Sequence, residues 1–185
     1  MFLSDQTIKK YLKNKKIIIE PEVKDSNIRA VGIRAHLADQ ILVANPNQTI
    51  DLKDPAEVKY RKIDLNEEEY VLKPGGFILG STKEKIHISR NLIAFIDGRS
   101  TIARLGLTVH LSSTTADGHY DEPRSITLEI ANNGNLNIKL AAGYPIGMLT
   151  FSTLNGLVEQ GVQSQYKGQT GATPPNLKFK TGQDL

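Results

Sequence analysis

The chain has 185 residues, 39% of them hydrophobic and 23% charged, and no cysteine. That length accommodates one domain with a proper core. The net charge of +3, from 23 basic and 20 acidic residues, is too even for bulk binding to a nucleic-acid polymer. Without cysteine there is no disulfide, no thiolate zinc site and no cysteine nucleophile. The zinc-type nucleobase deaminase, whose metal takes a cysteine pair, is excluded as well. The four histidines, His36, His87, His110 and His119, form no metal-binding spacing. No apolar run approaches a membrane span, and Met1-Phe2-Leu3-Ser4-Asp5 does not open a secretory signal; the expected location is the cytoplasm.

In chain order, residues 4–13 predict a helix capped by Ser4, with Ile8, Tyr11 and Leu12 on one face. The Lys9–Lys16 segment reads as its solvated basic side. Short β-type runs follow at 17–20, 31–37, 40–44, 70–73, 77–88, 93–97, 107–112, 125–132, 136–140 and 146–151. Turn signals such as Asn45-Pro46-Asn47, Pro74-Gly75-Gly76 and Asn132-Asn133-Gly134-Asn135 separate them. The polar stretch 47–69 reads as an excursion from the sheets. The pattern predicts a mainly β sandwich or barrel over residues 1–160. Residues 161–185, rich in Gln, Gly, Thr and Pro, predict a flexible tail, either a disordered end or a flap that orders over something.

The densest chemistry lies in Asp97-Gly98-Arg99-Ser100-Thr101-Ile102-Ala103-Arg104-Leu105-Gly106-Leu107. Ser100 is the expected N-cap of a short helix, Ile102, Ala103 and Leu105 its buried side, and Gly106 its stop. Arg99 and Arg104 suit an anion; a capped turn with two solvated arginines is the plainer reading. Further on, Ser125 to Asn132 alternates: Ile126, Leu128 and Ile130 on one side, Thr127, Glu129 and Ala131 on the other. Glu129 is then either an ordinary surface acid or, beside an arginine and a hydroxyl, a proton shuttle. The long polar segment from His110 to Arg124 is where a ligand site would sit. In it Asp117 is either a turn aspartate or a partner for a sugar hydroxyl, and His110 reads as structural.

These residues carry a resemblance. The 97–110 block, Ile126-Thr127-Leu128-Glu129, Tyr166-Lys167-Gly168-Gln169-Thr170-Gly171-Ala172-Thr173-Pro174, Leu3-Ser4-Asp5-Gln6-Thr7-Ile8 and Ile146-Gly147-Met148-Leu149 together resemble the dCTP deaminase family of the dUTPase-like superfamily. The resemblance implies a distorted jelly-roll subunit in a homotrimer, with active sites between subunits and a C-terminal lid. It implies deamination of dCTP to dUTP without zinc, with Mg²⁺ carried by the triphosphate, supplying dUTP for thymidylate synthesis. Glu129 matches the general acid/base, and Ser100 and Arg104 the side chains that hold the reacting water. Ser113 falls where a backbone carbonyl completes that water site. Arg99 and Thr101 match phosphate-side residues, Asp117 a residue near the deoxyribose, and Tyr166 and Gln169 the tail residues that reach the nucleotide. Thr127, on the face of Glu129, joins the substrate-binding candidates.

The chain departs from the pattern in the 114–124 loop, which is two residues longer, has Thr115 for an arginine and brings Arg124 nearby. It also has Gln165 for a tail lysine and Met148 for a glutamine. The rival expectations are a dUTP pyrophosphohydrolase, alone or combined with deamination, and a nucleotide-binding homologue without turnover.

Overall fold

The computed structural model describes residues 1–159, 166 and 168–177. The predicted boundary between domain and tail, at 160/161, lies outside the described residues. In chain order the elements are α1 (Asp5–Lys13), β1 (Ile17–Glu20), a 3-10 turn (Asp25–Asn27), β2 (Ile28–Arg29), β3 (Gly32–His36), β4 (Gln40–Ala44), β5 (Tyr60–Asp64), β6 (Val71–Leu72) and β7 (Phe77–Ile88). There follow β8 (Leu92–Gly98), α2 (Ser100–Ala103), β9 (Leu107–Thr108), β10 (Thr115–Ala116), β11 (Arg124–Asn132), β12 (Ile138–Lys139) and β13 (Pro145–Thr153).

Two antiparallel sheets face each other. One runs β5-β4-β7-β11-β9, with β1 added along the far end of β7; the other runs β10-β8-β13-β3-β2. A small β12-β6 ribbon stands apart. Each sheet turns alternate residues inward, as a half-buried strand must. Ile41, Ile78, Ile86 and Leu128 from one sheet meet Ile33, Ala94, Leu149 and Phe151 from the other. Ser4 caps α1 through Thr7 N–H, and Ile8 seats the helix on this core. Among the described residues no helix is long and apolar enough to cross a membrane.

Three differences from the sequence expectations matter. The 47–69 excursion contains β5, which pairs along the whole of β4. The 107–112 run pairs only over Leu107–Thr108, against Asn132 and Ala131. The His110–Arg124 segment contributes β10 to the edge of the second sheet, opposite Phe95 and Ala94.

One irregularity sets up the outer face of the larger sheet. Along β11 the register moves from Ser125 opposite Lys85 to Thr127 opposite Ser81, so β7 carries the surplus residues. Thr82 Oγ1 accepts the Ile126 N–H at 2.9 Å and donates to the Glu84 carbonyl at 2.7 Å, which satisfies the interrupted ladder. Buried Glu84 turns toward β3, where its carboxylate accepts the His36 N–H at 2.8 Å and meets His36 Nδ1 at 2.6 Å. The bulge thereby ties the two sheets together at one corner.

Candidate active site

The peptide from Asp97 to Gly106 leaves the second sheet at β8 and makes one helical turn. The N-cap is Arg99, not Ser100: the Arg99 carbonyl already accepts from Ile102 N–H at 3.0 Å and Ala103 N–H at 2.9 Å. The Ser100 hydroxyl therefore makes no capping bond, and Ser100, Thr101 and Arg104 stand exposed. Ile102 is buried as expected, but Ala103 and Leu105 are not, because a turn this short has room for one inward residue. Gly106 ends the turn at φ +85°, where an added Cβ would overlap Gly134 of the β11–β12 turn. Arg99 is committed in part: one guanidinium nitrogen donates to the Pro145 carbonyl at 2.6 Å. Asp97 accepts its neighbour's Gly98 N–H at 2.7 Å, and His110 Nε2 approaches the same oxygen at 3.5 Å.

Glu129 is half-buried on β11, with the alternation the sequence predicts: Ile126, Leu128 and Ile130 point into the core. Its Oε2 accepts the Leu111 N–H at 3.3 Å. That bond explains why β9 is short: the Leu111 amide goes to a side chain rather than to a ladder partner. Ser113 and Asp117 lie exposed in the loop beyond.

The C-terminal segment docks on the same face of β11. Thr173 N–H donates to Thr127 Oγ1 at 3.2 Å, Gly171 N–H to Ser125 Oγ at 2.8 Å and Gln169 Nε2 to the Ser125 carbonyl at 2.9 Å. Buried Arg124 donates to the Tyr166 carbonyl at 3.3 Å, and the Tyr166 hydroxyl accepts from Asn176 N–H at 3.3 Å. Beneath this contact His119 is buried, with Nδ1 donating to the Asp117 carbonyl at 3.1 Å. Burial, reinforced by the Arg124 guanidinium, holds the His119 imidazole below the ordinary histidine range.

The predicted residues thus fall into two groups. Thr127, Glu129, Tyr166 and Gln169 gather on the outer face of the larger sheet. Arg99, Ser100, Thr101 and Arg104 gather on α2. β9 links the groups along the chain, but among the described residues no hydrogen bond or ion pair joins Ser100 or Arg104 to Glu129. Sequence reasoning gave no docking role to Ser125, although it shares the alternation of Thr127 and Glu129. Nor did it see that Arg124 would be buried, since nothing in a lone arginine beside a proline announces burial. Among the described residues no group of three His, Asp or Glu side chains is placed to hold a metal ion.

Two packed β-sheets, with an acid on an outer sheet face and a C-terminal segment hydrogen-bonded to that same face at Ser125 and Thr127, define a jelly-roll-like β protein. The fold is shared with the crystal structure of 2'-deoxycytidine 5'-triphosphate deaminase from Agrobacterium tumefaciens, at a TM-score of 0.62 and 14% identity over 82% of this chain and 48% of that one. Residues 2–154 match the dCTP deaminase-like family. The chain is 34% identical to a dUMP-forming dCTP deaminase of Hydrogenobaculum sp., covering 96% of both chains. It is also 34% identical to a dCTP deaminase of Buchnera aphidicola subsp. Schizaphis graminum, over 96% of this chain and 98% of that one. This chain belongs to the dCTP deaminase-like family.

Proposed function

We propose that the protein hydrolyses the 4-amino group of dCTP, yielding dUTP and ammonia, with Glu129 as general acid and base. The observation that carries this reading is the position of Glu129: half-buried, held by the Leu111 amide, and two residues from the point where the C-terminal segment crosses β11. Covering that segment's face removes water and strengthens charge interactions beneath it. In the reaction the water oxygen bonds to C4 of the cytosine while its proton passes to the Glu129 carboxylate. Glu129 hands that proton to ring N3. The second water proton reaches the amino nitrogen by the same carboxylate, the C4–N bond breaks, and ammonia leaves. Ser100 and Arg104, with the Ser113 carbonyl, position the water. Arg99 and Thr101 take the phosphates, Asp117 the deoxyribose, and Thr127, Tyr166 and Gln169 the nucleotide under the lid. Mg²⁺ enters as part of the substrate, on the triphosphate oxygens, where it needs few protein ligands. The expected place of action is the cytoplasm, where free nucleoside triphosphates are held.

A homotrimer completes the site in this reading. That no hydrogen bond or ion pair joins Ser100 or Arg104 to Glu129 among the described residues supports a cradle lent by a neighbouring copy. So do the exposed apolar side chains around α2, Leu105 at 42%, Leu111 at 55% and Leu136 at 52%.

Product analysis after mixing protein, Mg²⁺ and dCTP is the test, run beside Glu129→Gln. Ammonia from the parent, a loss of at least ~100-fold in the variant and retained nucleotide binding are expected. Unchanged turnover in Glu129→Gln ends the assignment. A second reading, in which dUTP is hydrolysed further to dUMP and pyrophosphate, is favoured by the dUMP-forming relative, as similar as the other. The same chromatogram decides it: pyrophosphate and dUMP appear, or dUTP accumulates.

A further inference from the structure

We infer that the cleft over the β7 bulge is a binding subsite for a phosphate group, separate from the Glu129 carboxylate. The cleft has a volume of about 450 Å³ and lies between the bulge, the start of β11 and the C-terminal segment. Ser81 and Ser125 line it from the strands, Lys83 and Lys85 from the bulge, and Thr170 and Gly171 from the segment above.

Its chemistry is one-sided. Ser81 Oγ is fully buried and has no hydrogen-bond partner among the described residues. Native proteins rarely leave such a group unpaired, so it awaits an acceptor. Ser125 Oγ accepts the Gly171 N–H at 2.8 Å, which leaves its own proton to donate. Neither Lys83 nor Lys85 has an ion-pair partner among the described residues. The acid between them in sequence, Glu84, is turned into the sheet corner against His36. Asp39 at the rim is the carboxylate that lines the cleft. Two exposed lysines and two buried serine hydroxyls thus line a space with one acid among its lining residues. A tetrahedral oxyanion, with acceptors facing several ways, satisfies all four.

The bulge creates this arrangement. A regular ladder would hold β7 and β11 in continuous pairing, whereas the surplus residues open the sheet there and re-aim Lys83 and Lys85. Ser125 sits four residues before Glu129, about 13 Å away along the strand at the usual rise. An occupying phosphate would touch both sheet and segment, and so pin the segment down.

Isothermal titration of inorganic phosphate into the full-length, nucleotide-free protein tests this. Binding is expected, weakened at least ~10-fold in Lys83→Gln/Lys85→Gln and by a similar factor in Ser81→Ala, with all melting temperatures close to the parent. Phosphate binding by Glu129→Gln is expected to be unchanged, so failure here and failure of the proposed reaction are distinguishable. Repeating the titration in Glu129→Gln with saturating dCTP, which that variant binds without turnover, identifies the source of the phosphate: an unaltered affinity means free phosphate. Competition, with a raised KM and unchanged kcat in the double lysine variant, means a phosphate of the bound nucleotide. No binding to the parent up to about 10 mM phosphate, or equal affinity in the parent and the double variant, overturns the proposal.

Discussion

Thr173 and Thr127 meet through a backbone-to-hydroxyl bond of 3.2 Å, two residues along β11 from Glu129. With the bonds from Gly171 and Gln169 to Ser125, it makes β11 both the carrier of Glu129 and the dock for the C-terminal segment. In the proposed reaction one strand would couple closure to chemistry. A nucleotide lying on Glu129 would also lie under the strap, and each would favour the other.

The first expectation concerns that strap. Ending the chain at Gly161 removes every bond from the segment to β11. Each bond is worth on the order of 1 kcal/mol, so kcat/KM for dCTP is expected to fall at least ~10-fold, mostly through KM. The melting temperature should stay near that of the parent, since none of the segment's described residues belongs to the core between the sheets. Steady-state kinetics on the shortened chain are the check, and indifference of KM would remove the lid.

Gly106 supplies the second. Its φ of +85° disfavours any L side chain, and a Cβ there would come within 2.3 Å of Gly134 N. Gly106→Ala should destabilise by roughly 1–3 kcal/mol and displace the end of α2 from the β11–β12 turn. Denaturant unfolding measures the loss. A larger drop in turnover than in Gly143→Ala, where φ is +72° but nothing stands within 4 Å of the new atom, separates displacement of the cradle from backbone strain alone.

Much of this architecture is legible in the residues. β1, β4 and β7 match the β-type runs of the sequence to the residue, and α1 follows from Ser4 and its 3.6-residue stripe. β5 is not legible because it is an edge strand: of Tyr60-Arg61-Lys62-Ile63-Asp64 only Ile63 is buried, so no alternation is written. Leu107, Val109 and Leu111 alternate convincingly, yet Leu111 is exposed and its amide serves Glu129. The face of Glu129 is legible for the same reason that β11 is. Its proposed role is not, because a surface acid and a proton shuttle have identical local sequence; only the family resemblance favours the shuttle. Arg124 is not legible, since its carbonyl partner, Tyr166, lies some 40 residues away.

His119 gives the pH dependence. The folded protein holds the imidazole below its ordinary value of 6.5, mainly by burial. Below about pH 6.5 the unfolded chain takes up a proton that the folded chain refuses, so stability falls as pH drops from there toward the lowered folded value. Above 6.5 this contribution is fully present. One proton limits the slope to about 1.4 kcal/mol per pH unit. Urea melts from pH 7.5 to 5.5 should show it, and His119→Gln should flatten it. An acid-side loss that persists unchanged in His119→Gln would assign it to other groups.

The last expectation tests assembly through the two separated groups. If Ser100 and Arg104 of one subunit serve Glu129 of the next, neither Arg104→Ala nor Glu129→Gln trimers turn over dCTP. Subunits that are unfolded together and refolded at equal ratio would rebuild some intact pairs. A site is whole only when its α2 comes from a Glu129→Gln chain and its β11 from an Arg104→Ala chain. Random assembly makes that about a quarter of all sites, so about a quarter of parental activity should return. If both groups had to come from the same chain, every site would hold one damaged member and the mixture would stay inactive. Ammonia release by the refolded mixture, with each variant refolded alone as control, distinguishes the two arrangements without any knowledge of the bound geometry. It also bears on Leu105 and Leu111: their exposed apolar surface beside α2 would then be the contact that brings the neighbour's cradle within reach of the acid.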